Sequence, residues 1–432
     1  MSAPLAFINA RLLDPATGLD TEGGTVLVVD GKIAAAGADV RPDKGATTID
    51  CRGHCLAPGL VDMRVFLGEP GFEEKETLAS AGRAAAAGGI TTLVGQPQTD
   101  PVMDEPALLS FIMRRAFDTC AVNVVSMAAI TKGLEGKEMT EMGLLAEAGA
   151  VAFTDGVKAV ADAQVMRRAL SYATGWNLLV VQHAEEPSLA RGGAMNEGEV
   201  ASRLGLKGIP AVAEVMLLER DLRLAELTGA RYHAACLSTG EAVAAMRRAK
   251  DRGVRATCGV AAHHFALNEN EVGEYRTFAK VTPPLRSEED RAAVVAAIAD
   301  GTVDVIVSDH SPQDQESKRQ PFPTAEPGIA GLQTLLPLAL ELVHGKHVRL
   351  LDLLAKMTIN PARMLGLPSG RLAKGAPADL VLFDLDVPWR ISEAGLRSKS
   401  KNTPFDGRPV QGRVLRTVVG GETVFDFAAG AA

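Results

Sequence analysis

Apolar positions along this chain follow two different periods, and the change from one to the other divides it. Between residues 58 and 366, short apolar runs bounded by glycine and proline alternate with segments of helical spacing. The runs predict strands at Leu60–Phe66, Thr91–Gln96, Val122–Ala128, Val151–Thr154, Leu178–His183, Tyr232–Leu237, Arg255–Val260 and Val303–Ser308. Helical patterns separate most of them, at Glu74–Ala87, Ala211–Leu227 and Ser287–Ala299 among others. Strands that alternate with helices imply a parallel sheet, and eight of them over this span fit an α/β fold, a (β/α)8 TIM barrel. A doubly wound open sheet is the alternative, weakened by the lack of a G-x-G-x-x-G turn after the first strand. The two ends of the chain alternate with period two instead. LAFINARLLD, TVLVVD and KIAAAG lie near the start, ADLVLFDLD, RVLRTVVGG and ETVFDF near the end. Neither half-sheet is self-sufficient, so residues 1–57 and 367–432 are expected to pair into one composite β-sandwich domain around a barrel at 58–366.

Composition narrows the class. The 432 residues are 47% hydrophobic and 23% charged, as expected of a soluble globular protein with an ample core. A net charge of −8 argues against a nucleic-acid partner, which calls for a basic face. No apolar run reaches the roughly 20 residues of a membrane span, and MSAPLAFINARL has neither the charged region nor the cleavage site of a leader. Five cysteines without scaffold spacing point to a reducing cytoplasm. Cys51, His54 and Cys55 are close enough for a metal clip. No second ligand pair follows at zinc spacing, so a strand running into Pro58 is the better reading.

In a barrel, chemistry gathers at the C-terminal ends of the strands. Those ends carry His183, Cys236, His263, His264, Asp309 and His310. His183 closes LLVVQH and reads as a ligand or base. Asp309 leaves a buried strand, where a carboxylate needs a charged or metallic partner; an ion pair with Arg64 would serve equally. Asp155, in AFTDGV, suits a turn and a site about evenly. His263 and His264 are neighbours on what reads as a strand, so at most one points inward and structural roles are favoured. His344 and His347 fall at the end of a helical segment, where they suit capping. On the first strand, Asp62, Arg64 and Phe66 are expected to share one face and Met63 and Val65 the other.

The frame PGL-x-D-x-x-x-x-L-x-EPG at residues 58–71, followed by KET and AAAAGGITT, resembles dihydroorotase of the cyclic amidohydrolase superfamily. The resemblance extends through QHAEE, RYHAACLST, KVTPPLRSEEDR, SDHSP, PGIAGLQTLLPLAL, NPARMLGL, GRLAKGAPADLVLFD and SKSKNTPFDG. It implies the barrel and the composite domain, and it implies interconversion of carbamoyl aspartate and dihydroorotate by a metal, usually zinc. Position by position, Asp309 resembles the family's catalytic aspartate, His183 a metal-binding histidine and Asp155 the bridging aspartate. That last match is to a family that often shows two adjacent aspartates.

The departures set the expected function. Arg64 and Phe66 stand where the family has its His-x-His metal pair. Cys236 takes the place of another metal-binding histidine, and His233 matches one that does not bind metal. On the substrate side, Gly68 replaces a carboxylate-gripping arginine, Gln98 and Thr282 replace asparagines, and Gln313 replaces a histidine. A permanently charged guanidinium at the metal position implies that no metal is held. The chain then resembles the non-catalytic dihydroorotase-like subunits that assemble with aspartate transcarbamoylase, as a homo- or hetero-oligomer. The alternative is an active cyclic amidohydrolase with zinc on Asp155, His183, Cys236 and Asp309. In the first case Arg64 stands in for the cation, bonded to Asp309 or Asp155 at about 2.7–3.2 Å, with Phe66 filling the space beside it.

Overall fold

The computed structural model describes residues 4–42 and 45–429. The N-terminal period-two segments form β1 (Leu5–Asp14), β2 (Leu19–Val29), β3 (Lys32–Gly37), β4 (Thr47–Asp50) and β5 (Cys55–Pro58). The chain then enters the barrel through β6 (Leu60–Val65), β7 (Ile90–Gly95), β8 (Asn123–Ser126) and β9 (Leu179–Gln182). A short parallel pair, β10 (Met195–Asn196) and β11 (Gly208–Ile209), sits in the loop that follows. The ring resumes with β12 (Arg231–Ala234), β13 (Ala256–Ala261) and β14 (Val305–Val307). The last three strands, β15 (Leu380–Arg390), β16 (Pro409–Val419) and β17 (Glu422–Asp426), return to the first sheet. Its order is β17-β16-β15-β5-β1-β2-β3, with β4 on β1. The two ends of the chain meet where Leu56 faces Leu382 across the antiparallel β5–β15 pair. Phe7, Leu12, Val26, Ile33, Leu56 and Leu380 fill the core of this composite domain, because alternation gives each strand one apolar face.

Barrel neighbours are parallel throughout. The predicted strand at Val151–Thr154 is reduced to single bridges from Phe153 to Ala128 and to Val180. It still holds the fourth place in the ring, since the Val151 N–H donates to Ser126 O and the Phe153 N–H to Leu179 O. Closure comes from the bridge of Val65 to His310. Inside the ring pack Val61, Met63, Val94, Val181, Ala235, Cys236 and Val307. Leu60, Val65, Leu93, Val180 and Ile306 face the helices.

Strict alternation fails on β6. Asp62 pairs with Leu93 and Val65 with Gly95, so β6 advances three residues while β7 advances two. That is a β-bulge. Met63 stays inside with Val61 and Val65 turns out to the helices. Arg64 reaches the barrel mouth from the bulge, and Asp62 and Arg64 do not share a face as alternation predicts. The helix predicted over Glu74–Ala87 starts later, at Leu78. Thr77 caps it, accepting the Ser80 N–H at 3.2 Å while its own N–H donates to Ser80 Oγ at 3.1 Å. This capping box frees Glu76 to turn inward. The other two helices span Ala211–Thr228 and Glu288–Ala299, close to prediction.

Asp62 carries a cost. It is fully buried; Oδ1 accepts the Arg64 and Ser308 N–H groups at 3.3 Å each, and Oδ2 has no partner. Burial outweighs those hydrogen bonds and pushes its pKa up to about 6 from 3.8. Between those values the native state binds a proton that the unfolded chain has released, so this group's contribution falls as pH rises through the window. Asp62→Asn is therefore expected to stabilise the protein by about 3 kcal/mol at pH 8 and to change little at pH 4. Urea denaturation at the two pH values checks this, and an equal effect at both would mean that Asp62 titrates normally.

Candidate functional site

The barrel mouth is built from the ends of five strands, and its central contact joins the first to the last. Asp309 follows β14 with φ +50°, an uncommon left-handed conformation for a non-glycine residue. Its neighbour fixes that bend. The His310 N–H donates to Ser308 Oγ at 3.1 Å, and Nδ1 accepts the Gly331 N–H at 3.1 Å. The ring proton therefore lies on Nε2, 3.3 Å from Glu76 Oε2. So held, Asp309 accepts from Arg64 Nε at 2.5 Å, with the two residues only 5% and 9% exposed. Burial opposes the guanidinium charge, but the Asp309 carboxylate outweighs it and the Arg64 pKa rises. The cation is permanent.

Asp155 does not join this pair. Its Oδ1 accepts the Ile130 and Thr131 N–H groups, both at 2.9 Å, and Oδ2 takes the Thr131 hydroxyl. The carboxylate ties one loop to the next. His183 is buried, its Nε2 3.5 Å from Thr282 Oγ1 and its Nδ1 without a partner. Burial, reinforced by Arg64, lowers its pKa to about 3. Cys236 Sγ lies 3.4 Å from His264 Nδ1, and His264 Nε2 lies 3.0 Å from Pro283 O. That carbonyl can only accept, so Nε2 carries the proton and Nδ1 receives the thiol S–H. Burial lifts the Cys236 pKa well above its usual value, with Asp309 adding to the effect. It is a neutral thiol.

The expectation for His263 and His264 is corrected. β13 ends at Ala261, and a helical turn over Ala262–Ala266 carries both rings inward. Both are buried, with ring centroids 4.3 Å apart and His263 Nε2 3.8 Å from Asp309 Oδ2. The local signal is the run AAHHFAL, too apolar for the surface and too short for a helix to show by periodicity. Phe66 also differs from expectation. It is half-buried and packs on Phe72 of the next loop, ring centroids 5.7 Å apart, at the rim and not in an enclosed volume. His233 turns to Thr257, with Nδ1 2.8 Å from Oγ1. Cys51 and Cys55 are buried in the composite sheet, while His54 faces Asp384 at 3.6 Å, so the three make no clip. His344 ends its helix but Gly345 caps it, and His347 is exposed.

The donors do not fit a metal ion. Arg64 places a guanidinium against Asp309, Asp155 is spent on backbone N–H groups, and Cys236 is a hydrogen-bonded thiol. Among the described residues, no three His, Cys, Asp or Glu side chains converge to hold one.

Residues 53–242 match the Dihydro-orotase-like family and residues 338–425 the Amidohydrolase family. A protein named Dihydroorotase from Anaplasma phagocytophilum (strain HZ) is 46% identical over 428 residues, 98% of this chain and 95% of its own. Another of that name, from Pelotomaculum thermopropionicum, is 47% identical over 417 residues, 96% of this chain and 97% of its own. The chain belongs to the dihydroorotase family. Among solved structures, the L-hydantoinase (dihydropyrimidinase) of Arthrobacter aurescens superposes with a TM-score of 0.89 at 26% identity, covering 99% of this chain and 96% of that one. The dihydropyrimidinase of Brevibacillus agri NCHU1002 gives 0.85 at 21% identity, over 98% and 95%, a likeness of fold.

The other positions at which departures from the dihydroorotase pattern are expected sit in close packing. Gly68 has φ +74°, and a Cβ there would collide with the Glu76 carbonyl, so no arginine fits this loop as it stands. The Gln98 side chain lies over Gly156, where a Cβ would strike it. Thr282 meets His183, and Gln313 Nε2 donates to Pro327 O at 3.0 Å.

Proposed function

We propose that this chain is a dihydroorotase-family protein of pyrimidine biosynthesis that does not itself open or close the dihydroorotate ring, and that it acts as a structural partner of aspartate transcarbamoylase in the cytoplasm. The observation that carries the first half is the buried Arg64–Asp309 pair at 2.5 Å. A catalytic zinc asks for three protein ligands and an open position, whereas here a fixed cation already neutralises the family's catalytic aspartate. The mouth offers no substitute nucleophile, since Cys236 is a neutral thiol and burial makes His183 and His263 weak bases with pKa values near about 3. Gly68, Gln98 and Thr282 leave the substrate without its family contacts. The partnership rests on resemblance to non-catalytic subunits of this family and on a fold kept intact around the altered mouth. With a net charge of −8 there is no steering toward an acidic partner, so apolar anchors with a polar rim are expected.

A second reading is favoured by one observation, the name Dihydroorotase carried by relatives 41–47% identical over nearly the whole chain. It is an active cyclic amidohydrolase acting on dihydroorotate or another cyclic ureide or imide, with zinc on His183, Cys236 and Asp309. Elemental analysis of protein purified with zinc, together with turnover in both directions, separates the two. Well under one equivalent of metal and no detectable turnover are expected, with Arg64→His/Phe66→His giving no rescue. Stoichiometric zinc with robust turnover by the unmodified chain would establish the second reading. Co-sedimentation with purified aspartate transcarbamoylase from the same organism tests the partnership, and two separate, unaltered species would refute it.

A further inference from the structure

A cleft of ≈ 180 Å³ opens at the seam between the composite sheet and the barrel helices. Its walls include Arg390, Arg397 and Arg413 with Trp389, Phe425 and Phe427, and no aspartate or glutamate lines it. In a chain of net charge −8 that local balance is unusual. The rings hold the guanidinium groups in place. The Arg413 guanidinium carbon lies 4.8 Å from the Trp389 ring centre and 4.0 Å from that of Phe427, and the Arg397 carbon lies 5.1 Å from that of Phe425. Trp389 is itself fixed, its Nε1–H donating to Gly412 O at 2.8 Å. Stacking occupies a guanidinium face and leaves its N–H donors in the plane, directed away from the ring.

Among the described residues, neither the Arg397 nor the Arg413 side chain forms a hydrogen bond or an ion pair, and Arg390 spends one N–H on Gly407 O at 2.9 Å. Burial lowers the Arg413 pKa, with no carboxylate near enough to raise it. Two ring-stacked guanidinium groups and a third arginine around one small cavity call for a compact ligand with more than one negative charge and several acceptor oxygens, and a phosphate monoester has both. A monocarboxylate would leave two of the three uncompensated.

We propose that this seam is a binding site for a small phosphorylated metabolite, its phosphate gripped by Arg397 and Arg413 and its remainder directed along Trp389 toward solvent. The site shares no lining residue with the pair at the barrel mouth. Two ligand sources share the chemistry, free phosphate and an organic phosphate ester.

Isothermal titration of the full chain with inorganic phosphate and with AMP, at ionic strength fixed by chloride, tests the assignment. Saturable binding of both is expected. AMP at least tenfold tighter marks an ester site; equal affinities mark the phosphate group as the whole determinant. Arg413→Gln and Arg397→Gln are each expected to weaken binding at least tenfold. Arg397 is exposed, so its variant keeps the fold, which circular dichroism verifies, and the test holds even where Arg413→Gln fails to fold. No heat beyond the chloride control, or affinity within twofold of the parent in Arg397→Gln, overturns the proposal.

Discussion

Arg64→Ala is expected to destabilise the protein by roughly 3–5 kcal/mol, read as the shift in a urea unfolding midpoint at constant slope. The magnitude follows from what is left behind. Asp309 is 9% exposed and Arg64 5%, so truncation removes the cation bonded to a carboxylate that water barely reaches. An isolated charge in that environment costs far more than the net gain from forming the pair, which is why breaking a buried pair is harsher than never having one. A control separates charge from volume. Arg64→Met/Asp309→Asn removes both charges, keeps most of the packing, and should recover more than half of the loss. If Arg64→Ala costs under about 1 kcal/mol, water reaches Asp309 and the pair is an ordinary surface contact.

Much of this arrangement is legible in the sequence, and the parts that are not have identifiable causes. The barrel is visible because its strands are apolar on both faces and separated by helical spacing, and the composite sheet because period-two segments recur at both ends. Arg64 facing Asp309 can be read from residue type, since a charged strand end inside a barrel needs a counter-charge. The route Arg64 takes cannot. The bulge between Asp62 and Val65 depends on how β6 registers against β7, and no feature of VDMRV announces an extra residue. His263 and His264 were hidden by a boundary, because a five-residue helical turn following an apolar strand carries no period of its own. The fourth strand was over-read, since its segment makes ladder hydrogen bonds without extended pairing. Glu76 was missed for a different reason. Its partners His310 and Ser398 lie 234 and 322 residues away, and contacts at that separation leave no local signature.

Glu76 is also the site of the second large effect. Its carboxylate is fully buried and bridges three segments: the helix cap at Thr77 and Ser80, His310 beside Asp309, and the Ser398–Lys399 loop returning from the composite domain. The Thr77 and Lys399 N–H groups donate to Oε1 at 3.1 Å each, His310 Nε2 to Oε2 at 3.3 Å, and the Ser80 and Ser398 hydroxyls complete the shell. Burial pushes the Glu76 pKa up, but the bonds from His310, Ser398 and Ser80 outweigh it and hold the carboxyl below its usual 4.5. The stability it contributes is therefore fully present above pH 4.5 and is lost as pH falls through the lower folded-state value. Glu76→Ala should cost roughly 3–5 kcal/mol at pH 7, since it strands several buried donors at once. Glu76→Gln keeps the shape and one acceptor, so its cost should be smaller at pH 7 and should shrink as pH falls through the lowered folded-state pKa, below which the parent's carboxyl is also neutral. In both variants the loop around Ser398–Asn402 loses its anchor to the mouth, and limited proteolysis should cut there before it cuts the barrel. A Glu76→Gln penalty that stays constant from pH 7 down to the onset of the parent's acid unfolding, with the loop no more cleavable than in the parent, would show that the carboxylate charge does not hold these three segments together.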